Sequence, residues 1–216
     1  MDRSNPYEAA FEAYLQTQNL CYVAVDESKR ASWGDTPVKN LDFIVLGACG
    51  SRLLVDVKGR QFPGGPADRP RYTWENWSTQ EDIDGLRNWM RLFGPTYTGA
   101  FVFLYRIQPT VSLPADSLDL WTWRDQTYLL RAVAVEDYVA HMKVRSPKWG
   151  TVALPNASFQ QLARPFRWFT HEMTAPQEEA VADGPLEDRP VPEIAQHALA
   201  AFAAGTAQAG RGGGGA

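Results

Sequence analysis

The sequence predicts an α/β fold with the order α-β-β-β-α-β and a β-rich C-terminal extension. Apolar runs of strand length alternate with two amphipathic helical segments, and a strand, then a helix, then a strand implies at least one parallel crossover. The length, 216 residues, suits one domain that buries a core without a disulfide or metal staple.

The first helix is expected from Pro6 to about Gln18. Asn5 reads as its N-cap, Pro6 as the first helical position and Glu8 as the acid three residues after the cap; Ala10, Phe11, Tyr14 and Leu15 form the apolar stripe. Runs at 21 to 25, 41 to 46, 52 to 57 and 100 to 107 read as strands. A second helix is expected over about 79 to 93, from a capping-box pattern at Ser78-Thr-Gln-Glu81 to a stop at Gly94. Its core face is Ile83, Leu86, Trp89, Met90 and Phe93. Beyond 107 the pattern predicts strands near 118 to 123 and 127 to 135, a helix at 136 to 144, a strand at 151 to 154 and a helix at 157 to 163. Residues 1–107 are thus read as the core and 108–173 as an extension of the same domain. From 174 to 216, Ala, Gly, Pro and Glu dominate and Phe202 is the one aromatic residue, so this segment is expected to be a disordered tail.

The net charge of −4 argues against a nucleic-acid partner until its distribution is counted. Residues 1–173 hold 19 Lys/Arg and 19 Asp/Glu; residues 174–216 hold two Arg and six acids. The excess lies wholly in the tail, which is expected to compete with DNA for basic surface. Cys21 and Cys49 have neither CxxC nor Cys/His spacing, and the three histidines show no ligand spacing, so disulfide and zinc scaffolds are not expected. No apolar run approaches the ~20 residues that cross a bilayer, and no signal-like segment opens the chain, which is read as cytoplasmic.

Two predicted strands carry acids among apolar residues: Asp42 in Leu41-Asp-Phe-Ile-Val-Leu and Asp56 in Leu53-Leu-Val-Asp-Val-Lys-Gly-Arg60. The turn signal Gly47-Ala-Cys-Gly-Ser51 joins them as an antiparallel hairpin. Centred near Cys49, the hairpin sets Asp42 opposite Asp56, and the period of two adds Lys58 to that face. Adjacent carboxylates repel, and a hard divalent cation offsets that well. An edge-strand Asp56/Lys58 ion pair, with Asp42 satisfying backbone near Lys39 and Asn40, fits the same residues.

Asp42, followed fourteen residues later by Asp56-Val57-Lys58, after a helix carrying a Glu and before a helix and a strand, resembles the PD-(D/E)XK nuclease core. The arrangement is most similar to the archaeal Holliday-junction-resolvase branch, with Asp56-Val-Lys-Gly-Arg60 where that branch has E-V-K-S-R. Tyr7-Glu8-Ala-Ala-Phe11-Glu12 also resembles the uncharacterised family named after its HYExAFE motif, with Pro6 in place of the leading His. The nuclease resemblance spans about 5 to 107. It implies a restriction-endonuclease-like fold, a mixed central sheet flanked by helices, and hydrolysis of DNA phosphodiesters with Mg²⁺, Mn²⁺ serving as substitute. Asp42, Asp56, Glu8 and the Val57 carbonyl would be metal ligands, with Glu12 the rival of Glu8. Lys58 would orient or deprotonate the attacking water and offset phosphate charge. Duplex or branched DNA and a homodimer are the implied partners. A binding module that keeps the fold without catalysis, and an α/β hydrolase of small phosphorylated molecules, are the other readings.

A connection from 59 to 77 would be long for a compact domain. Its Arg60, Arg69 and Arg71 suit phosphates, and Trp74 and Trp77 suit unpaired bases; equally, the tryptophans would pin the loop to the core. A second basic stretch, Lys143-Val-Arg-Ser-Pro-Lys148 with Trp149, either joins that surface or forms a solvated helix end.

Overall fold

The computed structural model describes residues 5–25, 31–33, 36–66, 68–113 and 117–173. The anticipated tail at 174–216 lies outside the described residues.

Helix α1 (Pro6–Thr17) starts where expected: the Asn5 side chain accepts the Tyr7 N–H, and Pro6 has no N–H to leave unsatisfied. After β1 (Cys21–Ala24), a hairpin that the sequence reading lacked forms from β2 (Ala31–Trp33) and β3 (Thr36–Val38), strands too short to show a period. Then come β4 (Phe43–Leu46), β5 (Arg52–Phe62), the two-residue β6 (Ser78–Thr79), α2 (Gln80–Phe93) and β7 (Tyr97–Ile107). The sheet grows further through β8 (Leu120–Trp123) and β9 (Gln126–Ala134). The chain continues through α3 (Val135–His141), β10 (Lys143–Ser146), a 3-10 turn (Pro147–Trp149), β11 (Thr151–Ala153), α4 (Asn156–Leu162) and α5 (Phe166–His171).

The six-stranded sheet has the order β1-β4-β5-β7-β9-β8. All neighbours are antiparallel except β5 and β7, which α2 connects as the parallel crossover. The series α1-β1-β4-β5-α2-β7 has the expected α-β-β-β-α-β order, a mixed sheet flanked by helices, and β9 and β8 extend this sheet on the β7 side.

Alternation along β5 sends Leu53, Val55 and Val57 into one apolar cluster, with Phe11, Tyr14 and Leu15 of α1, and Leu54 and Phe62 into another, with Ile83 and Leu86 of α2. Helices therefore cover both faces. A second small sheet, β10-β11-β6, abuts the start of α2.

Three expectations change. The strand expected at 52 to 57 runs on to Phe62, so Arg60 sits on β5 rather than in a loop, because β7 offers a parallel partner along the whole of β5. The helix expected over 136 to 144 ends at His141, and Lys143–Ser146 forms a strand against β11. Helix α5 was not foreseen; it follows Pro165 and sinks Phe166 and Phe169 into the α1 side of the core.

Candidate active site

The hairpin register matches the one read from its turn. Phe43 pairs with Val55 and Ile44 with Leu54, and Asp42 immediately precedes the first residue of β4. Asp42 itself is a bend, and there its backbone N–H donates to Val55 O at 2.9 Å. Its Oδ2 accepts the Val57 N–H at 2.6 Å, replacing the carbonyl that a longer β4 would have offered. That bond sets the Asp42 carboxylate against the residue following Asp56.

Asp56 and Lys58 share the β5 face that α2 covers, and both are largely removed from solvent: Asp56 is 6% exposed and the Lys58 side chain 14%. Lys58 Nζ lies 2.8 Å from Asp56 Oδ1, 3.0 Å from its Oδ2 and 2.9 Å from Asp82 Oδ2. Asp82 is the site residue the sequence reading missed. It occupies the third position of α2, and it completes a capping box with Thr79: its Oδ2 accepts the Thr79 N–H at 2.9 Å while Thr79 Oγ1 accepts the Asp82 N–H at 3.1 Å. The box expected at Ser78 and Glu81 is thus shifted by one residue. The shift turns the acid inward, because Ser78 is taken by β6 and donates its hydroxyl to Asp82 Oδ2 at 2.9 Å. The spacing Thr79-x-x-Asp82 was as legible as Ser78-x-x-Glu81.

The same stripe of α2 anchors the segment before Asp42. Lys39 forms an ion pair with Asp82 Oδ1, and Trp89 Nε1 donates to the Lys39 carbonyl at 2.9 Å. Gly85, between them on the helix face, permits the approach, since a Cβ there would come within 2.9 Å of Lys39 Cβ.

Burial pushes the Asp56 carboxyl up to about 6 against the pull of Lys58. Burial also penalises the Lys58 ammonium, but Asp56 and Asp82 outweigh it and hold Lys58 above its ordinary range. For Asp82 burial is again opposed, and Lys58, Lys39 and the Thr79 N–H hold it well below the carboxylate range.

Glu8 stands apart. It is buried on α1, the helix on the other face of the sheet, and accepts from the Asn5 side chain. Tyr7 beside it covers Gly59, where a Cβ would meet the ring at 2.3 Å. Glu12 accepts the Tyr22 hydroxyl at 3.2 Å. Among the described residues no three His, Cys, Asp or Glu side chains gather so that they could hold a metal ion.

The loop after β5 is pinned to the core. Trp74 stacks on Phe62 with ring centroids 3.7 Å apart and meets Tyr105 edge-on at 4.8 Å. The Tyr105 hydroxyl donates to Glu75 O at 3.0 Å, and Asn76 Oδ1 accepts the Leu154 N–H at 2.8 Å. Arg69 and Arg71 lie on the surface, Arg71 paired with Glu75 at 3.0 Å. Arg60 behaves differently: it donates to the carbonyls of Gly59 and Trp77, and its guanidinium lies 4.1 Å from the Trp77 ring centroid.

No protein-family model and no curated protein matches the chain. Solved structures that match include Hjc, a Holliday junction resolvase from the archaeal hyperthermophile Archaeoglobus fulgidus, at 12% identity over 74% of this chain and 94% of that one, with a TM-score of 0.40. Among the described residues no helix is long and apolar enough to cross a membrane.

Proposed function

We propose that this chain is a divalent-cation-dependent nuclease that hydrolyses DNA phosphodiesters, with Asp42, Asp56 and Lys58 at its centre. The observation that supports this most is a buried Asp56/Lys58 pair on a central strand, with the Asp42 carboxylate bonded to the intervening residue. Such a placement opposes folding and has a reason in chemistry.

The donor set is all oxygen, as Mg²⁺ and Mn²⁺ prefer: the carboxylates of Asp42 and Asp56 and the Val57 carbonyl would hold the ion, and Glu8, on α1 at the opposite face of the sheet, is left out of this set. When bound, the cation would polarise a phosphate oxygen and supply hydroxide near neutral pH. Lys58, held protonated, serves as a fixed positive charge for a phosphate oxygen rather than as a base. Asp82 keeps that ammonium in place, and Lys39 balances Asp82.

Incubation of the protein with branched, duplex and single-stranded DNA and Mg²⁺ or Mn²⁺ tests the reading. Cleavage by the parent, lost in Asp56→Asn and in Lys58→Ala with the fold retained, is expected; cleavage unchanged in both variants, or none on any substrate, refutes it. One observation favours a non-catalytic binding module: Lys58 already compensates Asp56 and Asp82. Calorimetric titration with Mn²⁺ separates the two. Uptake that is lost in Asp56→Asn and strengthens as pH rises through about 6, where the proton leaves Asp56, supports catalysis.

A further inference from the structure

From Tyr138 to His171 the sequence has five Lys/Arg and no Asp or Glu. Three of these cations, Lys143, Arg145 and Lys148, fall on β10 and the following 3-10 turn, and all three are exposed. Trp149 closes the turn with 71% of its surface exposed, one of the largest apolar exposures among the described residues; Lys148 Nζ lies 5.4 Å from its ring centroid. A tryptophan that serves packing is normally well covered.

This surface is joined to the Asp56/Lys58 site. Arg145 lies 5.3 Å from the centroid of the Trp77 ring that also carries Arg60 at 4.1 Å. Two guanidinium groups share one indole, and among the described residues no carboxylate bridges either. Arg60 follows Asp56 and Lys58 on the same face of β5. Ser78, next to Trp77, bonds Asp82, and β6 pairs with β11, whose other neighbour is β10. Cations and an open indole on the surface that Arg145 and Trp77 connect to β5, with like charges brought together, suit a polyanion whose bases stack.

We infer that Arg60, Trp77, Lys143, Arg145, Lys148 and Trp149 form a nucleic-acid track leading to the site, with phosphates on the arginines and lysines and an unpaired base on Trp149. The substrate class is DNA with a single-stranded segment beside a duplex. This deepens the nuclease reading and rests on it for the direction of the track, but binding is measured separately from cleavage.

The test is fluorescence anisotropy of the full chain in EDTA, with a labelled blunt duplex and the same duplex bearing an oligothymidine extension. Expected for Lys143→Ser/Arg145→Ser/Lys148→Ser is weaker binding to both DNAs and a log–log salt slope smaller by about 3, one per phosphate contact. Trp149→Ala is expected to weaken the extended DNA roughly 5- to 100-fold while sparing the blunt duplex. All four side chains are exposed, and circular dichroism with thermal melting checks that the folds match the parent; Arg145→Glu gives an independent charge-reversed variant. Parental affinity and salt slope in the triple variant and in Arg145→Glu overturn the track. Equal loss on both DNAs in Trp149→Ala, or none, overturns the base-stacking assignment. A parent that binds no DNA overturns the track outright. Patch-dependent binding without Mg²⁺- or Mn²⁺-dependent cleavage sinks catalysis and leaves the track; cleavage with patch-independent binding does the reverse.

Discussion

Replacing Asp56 with Asn is expected to stabilise the metal-free protein above pH 6, although it removes a partner from a buried ion pair. Burial holds the Asp56 carboxyl at about 6 where its ordinary value is 3.8. At about 1.4 kcal/mol per pH unit, ionising it in the folded chain costs about 3 kcal/mol more than in the unfolded chain, with the pull of Lys58 already included. The sign follows from proton counting. Between about pH 4 and 6 the folded state binds the proton that the unfolded state has released, so stability falls as pH rises through this window and the penalty is complete above it. Asn mimics the neutral acid and removes the penalty, while Lys58 keeps Asp82 at 2.9 Å. An amide that finds imperfect partners gives some of this back, leaving a gain of about 1–3 kcal/mol at pH 8. Urea denaturation in EDTA at pH 4, 5, 6, 7 and 8 measures it: the parent should lose stability across the window and the variant should not. If Asp56→Asn is less stable than the parent at pH 8, the pair is an ordinary stabilising salt bridge, and the case that this carboxylate is kept for chemistry loses its thermodynamic support.

Asp82→Asn should act in the opposite direction, because both Lys58 and Lys39 lose a carboxylate while the Thr79 N–H keeps an acceptor; a loss of about 3 kcal/mol at pH 7 is expected. Since the Asp82 carboxyl is held below its ordinary 3.8, its contribution is present above about pH 4 and vanishes on acidification, so the acid limb of a stability–pH profile should be flatter in the variant. Gly59→Ala should cost about 1–3 kcal/mol in denaturation, because its methyl would enter the Tyr7 ring, and a double-mutant cycle with Tyr7→Ala should recover part of that loss. Trp74→Ala should destabilise by about 3–5 kcal/mol in the same assay yet leave DNA affinity per folded molecule unchanged, since the ring is spent on Phe62 and Tyr105.

What the sequence disclosed depended on how local the determinants were. The α1 start was readable because Asn5 and Pro6 act on neighbouring backbone, and the hairpin register because a short turn fixes pairing for strands on both sides. β5 was cut short because Lys58, Gly59, Arg60 and Gln61 look like the beginning of a loop; only β7 alongside makes them a strand, and the paired residues of β7 are 45 positions away in sequence. The same non-locality hid Asp82. Two capping registers were one residue apart, and the choice between them was made by pairing of Ser78 and Thr79 with β11, which no feature of residues 78–82 announces. Glu8 is the converse case. Its position near Asn5 was legible, but the face of the sheet on which α1 packs was not, and that face is opposite the one bearing Asp56 and Lys58. The acid that reaches Lys58 therefore comes from α2, after the DxK strand, rather than from the helix before it, and a motif search confined to the opening helix would look for it on the wrong layer.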